Sequence, residues 1–254
     1  MSKLKGKVAL VTGASRGIGR AIARRFAQEG ALVAVHYGRN REAAAETVRD
    51  IVSAGGEAFA IQADLGAPGG TETLFESLDA GLTVRTGGTV FDILVNNAGV
   101  SFYGSIENTT EPFFDDVMTV NVKAPFYAIR QALPRLREGG RIINLSSAVT
   151  RIAIPDIIAY SMSKGAIDTL TLVLAKQLGS RGITVNAIRP GFVATDMNAA
   201  SLNDPDARKF GAEFSVFGRW GEPEDVADVA AFLASPDGRW VTGQTIDASG
   251  GSHL

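Results

Sequence analysis

Short runs of apolar residues alternate along the chain with longer segments in which apolar positions recur at helical spacing. The short runs fall at residues 8–11, 32–36, 58–62, 93–95, 141–145, 183–188 and 244–246. The helical segments fall at residues 18–29, 42–54, 72–78, 112–136, 160–178 and 223–233. Strands and helices that alternate in this way are typical of repeated βαβ units. The pattern therefore predicts an α/β fold with a doubly wound, mostly parallel sheet of about seven strands.

Two irregular segments interrupt the alternation. Residues 80–90 contain Gly81, Gly87 and Gly88, and we expect a solvent-exposed loop without a function. Residues 191–221 follow a predicted strand end, where ligands bind in open α/β sheets, so we interpret this segment as a candidate lid. Its large apolar residues are Phe192, Met197, Phe210, Phe214, Phe217 and Trp220.

Composition limits the classes of function that remain. The chain has 254 residues, 45% of them hydrophobic, and contains no internal repeat or linker, so we expect one domain over 1–254. Its 25 basic and 27 acidic residues give a net charge of -2, which provides no field for collecting nucleic acid or anionic membranes. A small-molecule partner is therefore favoured over nucleic acid or membrane.

The absence of cysteine excludes disulfides, thiolate zinc sites and cysteine nucleophiles. The two histidines, His36 and His253, are far apart and lack a ligand pattern, so we predict no metal site and two ordinary polar histidines. The first apolar run, 8–11, is too short for a signal peptide or membrane span. We therefore expect a cytoplasmic protein.

The clearest motif follows the first predicted strand. Residues 12–19 read Thr-Gly-Ala-Ser-Arg-Gly-Ile-Gly and lead directly into a predicted helix. Glycines allow a sharp turn and a close approach to a pyrophosphate, and a helix N-terminus offers free N–H groups to an anion. The motif thus favours a dinucleotide site, although a glycine-rich turn without a ligand is the alternative.

Further motifs follow in an order that resembles the short-chain dehydrogenase/reductase family. The glycine spacing G-x-x-x-G-x-G is typical of this family, as are Asn96-Asn97-Ala98-Gly99 and Tyr160-x-x-x-Lys164. The remaining matches are Asn121, Ser147, Pro190-Gly191 and Thr195. The resemblance covers essentially the whole chain and implies a single Rossmann-like domain with a nicotinamide cofactor.

Tyr160 and Lys164 lie four residues apart and should share one helix face. A nearby ammonium favours the phenolate, and lowering the pKa of the phenol by roughly three units corresponds to roughly 4 kcal/mol. The resemblance implies that Ser147 binds the substrate oxygen, Tyr160 donates a proton to it, Lys164 assists both Tyr160 and the nicotinamide ribose, and Asn121 holds a relay water. The alternatives are a surface pair for Tyr160 and Lys164, a capping serine at 147, and a buried asparagine at 121 bonded to backbone.

In the family that the chain resembles, the residue near the end of the second strand determines which of the two nicotinamide cofactors binds. An acid there would hydrogen-bond the adenosine ribose and repel a 2′-phosphate, but this chain has Tyr37, followed by Arg39 and Asn40. With Arg16 in the glycine loop, two guanidinium groups favour NADP(H), unless both are solvated surface charges. The predicted cofactor-binding residues are Gly13, Ser15, Arg16, Gly17, Ile18, Gly19, Tyr37, Arg39, Asn40, Asp64, Leu65, Asn97, Ala98, Gly99, Tyr160, Lys164, Pro190, Gly191, Val193 and Thr195.

Together these features predict an NADPH-dependent ketone reductase. The mostly apolar segment 150–158 and the candidate lid favour a bulky, polycyclic aromatic ketone of the polyketide type. A 3-oxoacyl thioester of fatty-acid type is the alternative substrate, because the chain also resembles 3-oxoacyl-carrier-protein reductases. Two further alternatives are an alcohol dehydrogenase that works oxidatively with NAD and a catalytically silent NADP-binding regulator. The family resemblance also implies a homotetramer or homodimer built through the helices at 112–136 and 160–178.

Overall fold

Seven parallel strands form one sheet within residues 2–252, which are the residues that this computed structural model describes. The strands are β1 (Val8–Val11), β2 (Leu32–Tyr37), β3 (Glu57–Gln62), β4 (Phe91–Asn96), β5 (Leu136–Leu145), β6 (Thr184–Pro190) and β7 (Thr245–Ala248). Their order in the sheet is β3-β2-β1-β4-β5-β6-β7. The strand order reverses beside β1, so a crevice opens at the carboxyl ends of β1 and β4. The predicted fold class is confirmed.

Helices cover both faces of the sheet. They are α1 (Gly17–Gln28), α2 (Arg41–Ser53), α3 (Gly70–Thr86), α4 (Glu111–Met118), α5 (Ala124–Ala132), α6 (Ile158–Leu178), α7 (Ala199–Asn203), α8 (Pro205–Glu213) and α9 (Pro223–Ala234). One apolar core lies between the sheet and α1, α2 and α9, and the other lies between the sheet and α3, α5 and α6.

Successive side chains of β1 belong to opposite cores. Ala9 and Val11 pack into the core beside α1, whereas Val8 and Leu10 pack into the core beside α3. Because a strand buried on both faces needs apolar residues at every position, it appears in the sequence as an uninterrupted apolar run.

The segment 80–90 is not the predicted loop, because α3 continues to Thr86. Gly81 lies inside this helix, and a Cβ atom there would stand 2.3 Å from the ring of Phe59. This glycine therefore serves close packing of α3 against β3 rather than a turn. The helix ends at Gly87, whose φ of +74° is the left-handed conformation of a helix C-cap.

The single helix predicted at 112–136 is divided. A π-helical turn, Thr119–Lys123, separates α4 from α5, and α5 ends at Ala132. Pro134 explains the end of the helix, because proline lacks an N–H donor and disfavours helical geometry in the residue before it. β5 then begins at Leu136, five residues before the predicted start of the strand at 141.

Candidate active site

A cleft of about 1040 Å³ opens at the carboxyl ends of the central strands. It is bordered by the glycine loop at residues 13–19, the segments that follow β2, β3 and β4, the segment between β5 and α6, and residues 190–198 after β6. All predicted site residues except Tyr37 and Asn121 line this cleft. The topology thus brings together motifs that are far apart in sequence.

The glycine loop is held close to the segment after β4. Asn97 donates hydrogen bonds from its side-chain amide to the backbone oxygens of Thr12 and Gly13, at 2.8 and 3.1 Å. A Cβ atom at Gly19 would lie 2.4 Å from this amide nitrogen, so no larger residue fits there. Arg16 precedes α1 without a side-chain cap, which leaves the first N–H groups of the helix available to an anion.

The structure corrects the prediction for Tyr37. Its side chain is buried in the apolar core beside α1 and does not line the cleft. Side chains alternate along β2, so the ring of the preceding residue, His36, faces the cleft side instead. The motifs did not identify His36, because the alternation of β2 puts His36 and Tyr37 on opposite faces without indicating which face meets the cleft.

Two arginines border the cleft. Arg39 has a 91% exposed side chain and lies 3.4 Å from a carboxylate oxygen of Asp64. Arg16 lies 3.8 Å from a carboxylate oxygen of Asp196 in the lid segment, and both side chains are about two-thirds exposed. Asn40 caps α2 by accepting a hydrogen bond from the backbone N–H of Ala43. Because both ion pairs are solvent-exposed, the two guanidinium groups can leave them and turn toward a phosphate.

These features fit a dinucleotide phosphate. The glycine loop has backbone conformations, such as the φ of +54° at Gly17, that a side chain would strain. No carboxylate stands at position 37, both basic side chains line the cleft, and Arg39 lies beside Asp64. The arrangement offers N–H donors for a pyrophosphate and cations for a 2′-phosphate.

Elsewhere in the cleft, Tyr160 is hydrogen-bonded to Ser147. Ser147 follows β5 and also accepts a hydrogen bond from the N–H of Val149 at 3.4 Å. The neighbouring Ser146 contacts the backbone oxygen of Lys164 at 3.5 Å instead. Ser147 therefore matches the expected position of the serine that shares a substrate oxygen with Tyr160.

Lys164 reaches the same place from the next turn of α6. Its ammonium nitrogen donates to the backbone oxygen of Leu145 at 2.7 Å and lies 5.5 Å from the centre of the Tyr160 ring. Burial lowers the pKa of Lys164 to about 8, against an opposing attraction from Asp168. The lysine is consequently close to its titration range at physiological pH.

The expected lowering of the Tyr160 pKa is not found in the protein alone. Burial raises the pKa of the phenol, and the hydrogen bond with Ser147 opposes this effect. The Lys164 ammonium lies over the ring and donates a hydrogen bond to the backbone oxygen of Leu145. Burial therefore dominates the pKa of the phenol. A raised pKa keeps Tyr160 protonated, which is the form that a proton donor requires.

Asn121 lies in the π-helical turn and is buried away from the cleft. Its side-chain oxygen accepts from the N–H of Val100, and its amide donates to the oxygens of Val100 and Ser163, at 2.9 and 3.1 Å. Both amide hydrogens are therefore used inside the protein. The relay role of Asn121 stays a prediction.

Apolar side chains form the walls around Tyr160. Ile152, Ile154 and Ile157 line one side, and Phe192 and Met197 line the lid side. Phe102 and Tyr103, a few residues after the Asn-Asn-Ala-Gly motif, complete the walls and were not predicted.

The other aromatic residues of the lid segment do not line the cleft, contrary to expectation. The rings of Phe214 and Trp220 lie 5.1 and 5.2 Å from that of Phe192, and Phe210 lies 4.7 Å from Phe214. They form a small cluster behind Phe192. Phe217 is 71% exposed and also lies away from the cleft.

Within residues 2–252, no cluster of histidine or carboxylate side chains is arranged to hold a metal ion. His253 lies outside these residues. None of the described helices is long and apolar enough to cross a membrane.

Comparison with known proteins gives matches over nearly the whole chain. A family model described as "Enoyl-(Acyl carrier protein) reductase" matches residues 13–253. The crystal structure of the angucycline C-6 ketoreductase LanV with bound NADP is similar, with 53% identity and a TM-score of 0.95, covering 98% of this chain and 96% of that chain.

Two curated fungal proteins show similar coverage. Versicolorin reductase 1 of Aspergillus parasiticus is 42% identical over 98% of this chain and 97% of its own length. A short-chain dehydrogenase/reductase of Pestalotiopsis microspora is 41% identical over 98% of this chain and 96% of its own length.

Proposed function

Because the chain belongs to the short-chain dehydrogenase/reductase family, we propose that it reduces a bulky ketone of the polycyclic aromatic, polyketide type with NADPH. The chain is an NADP(H)-dependent oxidoreductase by its family and by its similarity to NADP-bound reductases. The observation that carries the substrate class is the apolar cleft wall around Tyr160, in a chain that is 53% identical to an angucycline ketoreductase.

NADPH supplies a hydride ion to the substrate when it is bound. The glycine loop and the N-terminus of α1 would hold its pyrophosphate, and Arg16 and Arg39 would hold its 2′-phosphate. Asp64 and Leu65 would contact the adenine end, and Thr195 and Val193 the nicotinamide end. Tyr37 is left out of this proposal, since its side chain lies in the core and the residue does not line the cleft.

Ser147, Tyr160 and Lys164 would stabilise the negative charge that develops on the carbonyl oxygen of the substrate. Negative charge grows on that oxygen as hydride reaches the carbon, so donors placed beside it lower the barrier. The hydroxyl of Ser147 would hydrogen-bond this oxygen, and the phenol of Tyr160 would transfer its proton to it. The Lys164 ammonium would stabilise the phenolate that remains and bind the nicotinamide ribose.

The apolar walls would favour a flat apolar substrate. Ile154 and Ile157, Phe192 and Met197 all line the same cleft as Tyr160. Burying aromatic rings against such walls contributes roughly 25 cal/mol per Å² of apolar area. A short acyl chain would fill less of the cleft and gain less from its walls.

A 3-oxoacyl thioester is the second candidate substrate, because the description of the matching family model, "Enoyl-(Acyl carrier protein) reductase", also names a carrier-bound acyl thioester, although one reduced at its C=C bond. Steady-state assays with NADPH should compare a tetralone or decalone with an acetoacetyl thioester. We expect a higher kcat/KM for the fused-ring ketone, with the Tyr160→Phe variant as the blank. A value at least tenfold higher for the thioester would assign the chain to fatty-acid-type chemistry.

We also propose a homotetramer, with a homodimer as the smaller alternative. The helices α4, α5 and α6 carry several large apolar side chains that are about half exposed or more, and such exposed apolar surface is typical of a subunit interface. They are Phe113, Phe126, Met162, Leu172 and Val173. Light scattering at micromolar concentration should give four times the chain mass of 26.6 kDa, or twice that mass. A monomer would contradict the proposal. A cytoplasmic location stays a prediction from the sequence.

A further inference from the structure

We propose that His36 is a positioning residue for the NADPH site, whose ring fixes the glycine loop relative to the adenine-binding segment after β3. The inference rests on the cofactor site proposed above. It assigns to His36 no contact with the reacting atoms, and it concerns the affinity for the cofactor rather than the chemical step.

The ring of His36 joins two parts of the site. Its Nδ1 atom accepts a hydrogen bond from the backbone N–H of Gly13 at 3.0 Å, and its Nε2 atom lies 3.0 Å from the backbone oxygen of Ala63. Gly13 begins the glycine loop, and Ala63 immediately precedes Asp64 and Leu65. The residue is 2% exposed, its bond to Ala63 is buried, and its bond to Gly13 is partly buried.

The bonding pattern fixes the tautomer of the ring. A backbone N–H can point at Nδ1 only when that nitrogen carries a lone pair, so the proton lies on Nε2 and is donated to Ala63. Burial, which lowers the pKa of His36 to about 4, keeps the ring neutral. Asp64, which forms an ion pair with Arg39, is the charged group whose attraction opposes this effect.

Gly13 has little freedom on its other side. A Cβ atom there would lie 2.9 Å from the Cα of Ala98, and the backbone oxygen of Gly13 accepts from Asn97. The loop is therefore held between the segment after β4 and the His36 ring. Without the ring acceptor, the partly buried Gly13 N–H would be left without a partner in the protein, or the loop would shift to satisfy it.

A set of His36 variants separates the two bonds. His36→Phe keeps the ring volume and loses both partners, His36→Asn keeps an acceptor near the position of Nδ1, and His36→Gln keeps a donor near that of Nε2. Fluorescence titration gives Kd for NADPH and NADH, and assays at saturating NADPH give kcat. Hydrogen exchange of the cofactor-free protein reports the Gly13 amide directly.

We expect His36→Phe to weaken both cofactors by the same factor, about tenfold to a hundredfold, which is the scale of one buried donor left unpaired. Exchange at Gly13 should accelerate, and kcat at saturation should stay within about threefold of wild type. His36→Asn should recover most of the affinity, whereas His36→Gln should not. The matched control is Arg39→Ala, which should weaken NADPH and spare NADH.

Several results would overturn the proposal. The first is an NADPH affinity of His36→Phe within twofold of wild type. If His36→Phe does not fold, the deciding result is the comparison of His36→Asn with His36→Gln, and equal NADPH affinities of these two variants would overturn the proposal. A lower Tm with unchanged Kd would identify a purely structural residue. Failure of the wild-type protein to bind NADPH would instead reject the cofactor site, while exchange at Gly13 would still test the hydrogen bond.

Discussion

The ammonium group of Lys164 donates a hydrogen bond of 2.7 Å to the backbone oxygen of Leu145, the last residue of β5. Ser147 stands two residues further along the same segment and is hydrogen-bonded to Tyr160. The three residues of the proposed reaction are thus tied to the junction of β5 and α6. Lys164 is buried at this junction, so its pKa depends on burial and on the nearby charge of Asp168.

The first prediction concerns the alkaline limb of the pH profile. Burial lowers the pKa of Lys164 to about 8, so the charged form is lost, and kcat/KM should fall, as pH rises through 8. The Asp168 carboxylate raises this pKa, so Asp168→Asn should move the limb to lower pH. Arg189 pairs with Asp168, and Asp168→Glu is the control that keeps the carboxylate for this ion pair. A limb that does not move in Asp168→Asn would remove Asp168 from this role.

The second prediction concerns the proton donor. Tyr160→Phe removes the hydroxyl that contacts Ser147 and keeps the ring near Lys164. Turnover should fall by at least about a hundredfold, the scale of general acid catalysis, while Kd for NADPH stays nearly unchanged. Both quantities are measured on the same preparation. Turnover within a few-fold of wild type would show that another group donates the proton and would favour a different site chemistry.

Much of this site was predictable because its motifs are local. The spacing of Tyr160 and Lys164 on one helix follows from helical geometry, and the glycine loop follows from backbone requirements. The orientation of Tyr37 depends on which face of β2 meets the core, and the length of α3 depends on the fit of Gly81 against Phe59. The raised pKa of Tyr160 depends on burial. These are tertiary properties that no local pattern contains.

The third prediction concerns cofactor choice. Arg39 is nearly fully exposed and borders the end of the cleft near Asp64, where it would meet the 2′-phosphate. A hydrogen bond to a charged group contributes about 1.5–3 kcal/mol, so Arg39→Ala should weaken NADPH about tenfold to a hundredfold and leave NADH unchanged. Titrations with both cofactors check this. Equal losses for the two cofactors, or an unchanged preference in the Arg16→Ala, Arg39→Ala double variant, would contradict the proposed contact.

The fourth prediction concerns the stability of α3. Alanine favours a helix interior by up to about 1 kcal/mol over glycine. At Gly81, however, the added Cβ would lie 2.3 Å from the Phe59 ring, and such overpacking costs about 1–3 kcal/mol. Gly81→Ala should therefore lower the free energy of unfolding. The matched control is Gly165→Ala in α6, where a Cβ would meet no atom within 4 Å. Urea denaturation should show opposite signs for the two, and stabilisation by Gly81→Ala would refute the packing argument.

The last prediction concerns acid sensitivity. Burial lowers the pKa of His36 from its ordinary value of 6.5 to about 4 in the folded protein, so the unfolded chain binds a proton more readily between these values. The resulting stability is fully present above pH 6.5 and is lost progressively as pH falls through 4. As the pH is lowered from 7 to 5, the free energy of unfolding should therefore fall by about 2 kcal/mol more in wild type than in His36→Asn, because the asparagine side chain does not titrate. Urea denaturation at both pH values measures this difference. Parallel losses in the two proteins would show that His36 is accessible to protons in the folded state and that its neutral, doubly bonded ring is not maintained.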